Sequence, residues 1–278
     1  NLYTLGDSMS PPQFRDFIPT QRIGGTAGVE VWSGKDSTGS PAVLKTFPLG
    51  RGWQQEYAAL RSINKAPLTE VVIPRLLDTS ENPPAILMSY LDGKNMESHR
   101  FPMPTWSIAI QQAGRFLSQL HAIPLSEADS LPLSDALPLR LESWIERGAK
   151  WLSPEEIQHA RNKVGNGTVF EGHQRVYCHN DFAPRNWIWN RSGLGIIDFE
   201  HAHGNHPAFD WVKLEVGLFQ KMPELREEFI ASIGGTPLWA TSEVLDAIVA
   251  IHAIGCIVWG SQHGDKSYIY EGRRILDE

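Results

Sequence analysis

The 278-residue sequence predicts an α+β chain of two lobes, with a β-rich N-lobe over residues 1–91 and a mainly helical C-lobe over 92–278. Three observations predict it. The first part of the chain carries short β-prone runs bounded by glycine and proline, among them Ala42-Val43-Leu44-Lys45 and Pro84-Ala85-Ile86-Leu87-Met88-Ser89. The remainder carries apolar residues at helical spacing. Within that remainder lies a polar segment, Cys178-His179-Asn180-Asp181-Phe182-Ala183-Pro184-Arg185-Asn186, followed by Ile196-Ile197-Asp198-Phe199-Glu200.

The elements follow in order. Arg22-Ile23-Gly24-Gly25-Thr26-Ala27-Gly28-Val29 reads as the turn of a β-hairpin, in which Gly24, Gly25 and Gly28 let backbone amides approach an anion. The run ending at Lys45 reads as a strand, and Gln54 to Leu60, with Glu56 inside it, as a helix. Pro84 to Ser89 is a second strand, and Asp92-Gly93 turns the chain after it. Trp106, Ile110, Ala113, Leu117 and Leu120 recur at steps of four, three, four and three, which gives a helix with one buried face ending near His121. His121 is expected to be a helix-terminal residue without a ligand role. The Pro- and Ser-rich stretch from Pro124 to Pro138 reads as a loop or short-helix insert. Arg175 to Cys178 and Leu194 to Ile197 read as short strands on either side of the polar segment. Ser242 to Trp259 is a helix with Leu245, Ile248, His252, Cys256 and Trp259 on one side, and His252 is expected to be a satisfied core histidine.

The polar segment carries chemistry suited to phosphoryl transfer. Such a reaction asks the protein for an in-line hydroxyl and for neutralisation of phosphate charge. Asp181, at the start of a short loop, can accept a hydroxyl proton. Asn186, five residues on, offers a neutral amide oxygen to magnesium, and Asp198, at the end of a buried strand, offers a carboxylate. The order of these three residues and the strand on each flank together favour this reading over a plain turn.

At these residues the sequence resembles the superfamily of aminoglycoside phosphotransferases and choline kinases, which has a bilobal protein-kinase-like fold. The resemblance rests on His179-Asn180-Asp181 with Asn186, and on Asp198-Phe199-Glu200-His201-Ala202. It implies that Lys45 pairs the α- and β-phosphates of ATP and that Glu56 holds Lys45 in place. It implies that the backbone of Ser89, Tyr90 and Leu91 meets the adenine edge, with Met88 behind the ring. It implies ATP and Mg2+ as cofactors, Asn186 and Asp198 as metal ligands, and Asp181 as the catalytic base. Arg185 is a candidate for stabilising the transferred charge. Glu200, Trp259 and Tyr268 are candidates for holding the acceptor, because an aromatic face attracts an ammonium group. Asp210 is similar to a residue that buttresses the catalytic loop, and a helix N-cap is an equally good reading. The chain departs from many relatives in having Ala183 two residues after Asp181.

Asp210 comes only twelve positions after Asp198, and no Ala-Pro-Glu follows. That leaves little room for a peptide-docking segment, so the acceptor is expected to be a small molecule. No Gly-x-x-x-x-Gly-Lys-Ser/Thr is present, so a Walker-type nucleotide fold is not supported. A net charge of −7 argues against a nucleic-acid partner and suits a cationic acceptor. Two cysteines without metal-site spacing, no secretory signal and no apolar run of membrane-spanning length point to a reduced, cytoplasmic protein with no membrane or protein partner. The reading is therefore an ATP- and magnesium-dependent phosphotransferase acting on a small cationic hydroxyl compound. An aminoglycoside-type antibiotic is the first choice, with a resistance role. A choline- or ethanolamine-like metabolic kinase is the alternative, and a catalytically silent kinase-fold binding protein the third reading.

Overall fold

The computed structural model describes residues 11–25, 28–48, 52–125 and 131–277. Its N-terminal part is a five-stranded antiparallel sheet in the order β1-β2-β3-β5-β4. The strands are β1 (Ile18–Gly24), β2 (Glu30–Lys35), β3 (Pro41–Thr46), β4 (Leu76–Glu81) and β5 (Pro84–Ser89), and α1 (Trp53–Ile63) packs against them. Side chains alternate across a strand. In β3, Ala42 and Leu44 join Phe14, Phe17 and Trp32 on the outer face of the sheet. Val43 and Lys45 therefore take the inner face. In β5, Leu87 goes outward with Leu44, and Ile86 and Met88 go inward to the larger core.

That larger core crosses from one lobe to the other. It joins Trp53, Leu60, Ile86 and Met88 of the sheet region to Phe116, Trp187 and Trp211 of the helical region. A short backbone tie reinforces it: Val72 donates to the Leu194 carbonyl and accepts from Ile196 N–H, both at 2.9 Å.

The helical lobe begins with β6 (Lys94–Asn95) and α2 (Met103–His121), which buries Trp106, Ile110, Ala113, Leu117 and Leu120 on the face the spacing predicts. Next come α3 (Leu133–Gly148) and α4 (Pro154–Val164). The predicted insert is corrected here. Part of it, 126–130, lies outside the described residues. From Leu133 onward it is a helix that runs through Pro138 and buries Leu133, Leu137, Leu141 and Ile145 at four-residue steps. The region around the polar segment holds β7 (Val176–Cys178), β8 (Trp187–Asn190), β9 (Gly193–Ile196) and β10 (His203–Asn205).

The chain then runs through α5 (Ala208–Lys213), a π-helical turn at Leu214–Leu218, and α6 (Phe219–Lys221) as one continuous rod. Finally come α7 (Glu224–Ser232), α8 (Ser242–His263) and α9 (Lys266–Asp277). Helix α8 is the centre of the second core and packs on α3, α4, α5 and α9. It is 22 residues long and apolar enough to cross a membrane by length and composition, which corrects the expectation that no such run exists. Most of it is buried inside the protein. A helix buried on nearly every side has no single apolar stripe. Leu245, His252 and Trp259, expected on the buried face, are only half-buried, whereas Val244, Ala247 and Ile251 are buried.

Candidate active site

The loop between β7 and β8 is built on Asp210. Its carboxylate is fully buried and accepts from the amides of His179 at 3.1 Å and Asn180 at 2.7 Å, and it lies 2.9 Å from His121 Nε2. Asp210 stands inside α5, whose N-cap position is Pro207, so of the two readings of this residue the loop contact is the one present. Asn180 has a left-handed φ of 62°, and Asp198 one of 67°. Asn and Asp tolerate that region better than most residues. Asn180 is held there by Asn205 Nδ2 donating to its Oδ1 at 2.6 Å, and by its own Nδ2 donating to the His201 carbonyl at 3.0 Å.

His179 ties this loop to the strand that bears Asp198. Its ring is fully buried, with Nδ1 accepting from Asp181 N–H at 3.3 Å and Nε2 donating to the Ile197 carbonyl at 3.1 Å. Burial pushes its pKa below the ordinary value, as a neutral ring in these two roles requires. A second tie runs from Ile197 N–H to the Asn186 carbonyl at 3.0 Å.

Asp181 is buried and holds three side-chain donors. Asn186 Nδ2 donates to its Oδ2 at 2.9 Å, and Arg185 and Lys213 both donate to its Oδ1. Burial opposes the carboxylate charge, but the Lys213 and Arg185 cations outweigh burial and hold the carboxyl well below the usual range. Asn186 commits its amide nitrogen to Asp181 and turns its amide oxygen away from it. Arg185, a candidate for the transferred charge, is drawn onto Asp181 instead.

Lys45 forms the other half of the site. Its Nζ lies 2.8 Å from each of Glu56 Oε2, Asp198 Oδ1 and Glu200 Oε2. Burial opposes the ammonium charge, but the three carboxylates outweigh it and push the pKa above its ordinary value. Glu56 is the most buried of the three. Burial pushes it up to about 7, with Lys45 opposing and Asp198 and Glu200 adding to the rise. Its Oε2 meets Lys45 off the hydrogen-bond direction and is otherwise an unsatisfied buried oxygen. Burial also opposes the charge of Asp198, and there Lys45 prevails and lowers the pKa. Glu200 was expected beside the acceptor. The left-handed turn at Asp198 and the buried Phe199 swing it onto Lys45 instead.

The glycine turn between β1 and β2 has φ of 117° at Gly25 and 86° at Gly28, and a Cβ on Gly25 would lie 2.1 Å from the Val29 carbonyl oxygen. Thr26 and Ala27 lie outside the described residues. Gly24 ends β1. Met88 is buried on the inner face of β5. The amides of Ser89 and Tyr90 donate to the carbonyls of Arg75 at 2.9 Å and Pro41 at 3.2 Å, so the protein itself uses both. The Leu91 amide makes no hydrogen bond among the described residues.

Arg185 and Lys213 also line a cavity of about 420 Å³, to which Lys45 does not contribute. Tyr268 lines it, as do His252 and Cys256, whose Nε2 and Sγ are 3.5 Å apart. His252 is therefore a wall residue, and burial, reinforced by Lys213 and Arg185, pushes it down to about 3. Trp259 does not line the cavity. It packs against Tyr268 at 4.9 Å and stacks on His263 at 4.3 Å. Lys213 escaped the sequence reading, although a signal exists. Residues three apart share a helix face, so a loop-facing Asp210 implies a loop-facing Lys213.

The sequence matches the phosphotransferase enzyme family over residues 20–243. No curated protein matches it by sequence. Among solved structures, the gentamicin complex of APH(2")-IIa is similar at a TM-score of 0.68 and 18% identity, covering 93% of this chain and 90% of that one. A thermostable mutant of aminoglycoside phosphotransferase APH(4)-Ia in its apo form gives a TM-score of 0.75 at 13% identity, covering 94% and 93%. The GDP complex of aminoglycoside 2'-phosphotransferase-IIIa gives 0.70 at 16%, covering 95% and 93%. At these identities the likeness is one of fold.

Proposed function

The chain belongs to the phosphotransferase enzyme family, and from that premise we propose an ATP- and magnesium-dependent kinase of a hydroxyl on a small molecule. The observation that carries this reading is the convergence of Lys45 from β3, Asp181 and Asn186 from the β7–β8 loop and Asp198 from just beyond β9 into one cleft. The donor set suits a divalent ion: three carboxylates around one ammonium leave negative charge uncompensated, and the Asn186 amide oxygen is turned away from Asp181. Asn186 and Asp198 would hold the magnesium, which when bound neutralises phosphate charge.

The residues then divide the work. Lys45, steadied by Glu56, meets the nucleotide phosphates. The glycine turn at Gly24, Gly25 and Gly28 covers them. The adenine edge lies along Ser89, Tyr90 and Leu91, with the Leu91 amide as donor and Met88 behind the ring. Asp181 aims the acceptor hydroxyl. As the hydroxyl oxygen bonds to the γ-phosphorus, its proton passes to Asp181. The bond to the bridging oxygen breaks, and ADP leaves with the electron pair. Arg185 and Lys213 keep Asp181 ionised, and Tyr268 lines the acceptor's place. Cys178 and Cys256 are free and buried, which accords with a reduced, cytoplasmic setting.

An aminoglycoside acceptor, and the resistance role that would follow from it, has the fold likeness in its favour, and a choline-like acceptor remains the alternative. The cations of the cavity count against both.

A coupled ADP-release screen over aminoglycosides, other hydroxylated antibiotics, choline, ethanolamine, sugars and hydroxy acids tests the reading. At least one acceptor should raise ADP release, and Asp181→Ala should abolish that rise while ATP still binds by calorimetry. Normal turnover by Asp181→Ala would remove the role given to Asp181. No ATP binding and no acceptor-stimulated ADP release would leave the catalytically silent reading in its place.

A further inference from the structure

The cavity next to Asp181 has the wrong charge for a polycation, although the chain as a whole is acidic. Three cations line it, Arg185, Lys213 and Lys221, against two carboxylates, Glu97 and Glu271. Glu271 is already paired with Arg274 at 2.8 Å. Lys221 is exposed and pairs with no carboxylate among the described residues. Met96, Trp106, Leu218 and Met222 give the lining an apolar part. A site for several ammonium groups would need carboxylates in excess; with Asp181 set against Arg185 and Lys213 and Glu271 against Arg274, three cations here face only Asp181 and Glu97.

The state of Asp181 adds a second argument. Its Oδ1 already accepts from both Arg185 and Lys213, and its Oδ2 accepts from Asn186. A carboxylate offers about four lone-pair positions, so these three donors leave an acceptor hydroxyl a single position, on Oδ2, on a carboxylate already crowded by two cations. A cationic acceptor brings another positive charge to that crowd. An anionic group in the cavity attracts Lys213 away from Oδ1 and gives the hydroxyl a second position on the carboxylate.

We propose that the acceptor is a hydroxyl compound with an apolar body and an anionic group, a carboxylate or a phosphate, that pairs with Lys213 and Lys221. The proposal rests on the kinase reading above and narrows its acceptor class. It makes Lys221 a specificity residue and Lys213 a positioning residue for Asp181.

Matched probes test it: hydroxymethylbenzoate, benzenedimethanol and hydroxymethylbenzylamine share a ring and a hydroxyl and differ in charge. Their affinities are measured by calorimetry with ADP and magnesium present, on the full chain and on Lys221→Glu. The benzoate should bind roughly tenfold tighter than the amine, and added salt should weaken it. Lys221→Glu should reverse that order without changing the melting temperature, because Lys221 is exposed. Tighter binding of the amine, equal binding of all three probes, no binding of the benzoate, or an order unchanged in Lys221→Glu would overturn the proposal.

The acceptor screen separates the two levels, with hydroxybenzoates and sugar phosphates added as carboxylate and phosphate arms. If cationic acceptors turn over best, the anionic class falls and the kinase stands. If no acceptor of any charge raises ADP release, the kinase reading itself falls.

Discussion

Around Lys45 three carboxylates share one ammonium, and around Asp181 two cations share one carboxylate oxygen. The two halves of the cleft thus hold opposite excesses of charge. The negative excess suits a divalent ion together with its phosphates. The positive excess keeps Asp181 ionised and faces the cavity where an acceptor would lie. Each half is unbalanced by itself, and each imbalance fits what that half would bind.

Removing the centre of either half should break this contrast most strongly. Asp181→Ala should lower kcat by about 10²- to 10⁴-fold, the range of a lost general base, with nucleotide affinity unchanged by calorimetry. Lys45→Met should do the reverse. Nucleotide affinity should collapse, and three carboxylates left without their ammonium should cost about 3 kcal/mol or more in denaturant unfolding. A variant as stable as the parent would mean that the carboxylates do not depend on Lys45.

Lys213→Met acts on one half only. The Asp181 carboxyl should rise towards its ordinary range once its strongest cationic neighbour is gone. The base must be unprotonated, so the acid limb of the kcat/KM profile should move to higher pH. An unmoved limb would show that Arg185 alone sets the charge.

Glu56 sharpens the other half. Its folded carboxyl, pushed up to about 7 by burial, keeps a proton over the window above its ordinary 4.5, where the unfolded chain has released it. Stability from this group is present below the ordinary value and is lost as pH rises through the folded one. Glu56→Gln should therefore flatten the loss of melting temperature across that window. The smallest effect belongs to Trp259→Phe, behind the cavity wall. It should change an acceptor's KM by no more than about threefold, because a single aromatic contact is worth about 0.5 kcal/mol.

The same two halves differ in how well the sequence announces them. Lys45, Glu56, Asp181, Asn186 and Asp198 stand at motif spacings that can be read directly, and strand alternation in β3 places Lys45 on the inner face. The two lobes and the buried face of α2 follow from periodicity in the same way. The cavity does not. Its wall combines residues from the segment after β6, α2, the β7–β8 loop, the α5–α6 rod, α8 and α9, and no local pattern joins them. Helix α8 misleads because it is buried almost all round, and with no polar face to fix the phase His252 looked like core. Glu200 reaches Lys45 only through the left-handed turn at Asp198, a backbone state that residue type permits without dictating. Helix α4 was legible in principle, since Ser153 and Glu156 form a capping box with bonds of 3.1 and 2.6 Å.

The π-helical turn at Leu214–Leu218 stands between Lys213, bound to Asp181, and Lys221, at the far end of the same wall. Such a turn holds one residue more than an α-helical path would. Removing Gly217, which has no neighbour within 4 Å of a built Cβ, would rotate the rest of the rod, through Lys221, by about 100° about its axis. Lys213 would keep its place while Lys221 left the wall. Acceptor choice in this chain is therefore open to change by the length of one turn, with every side chain of the reacting centre left as it is.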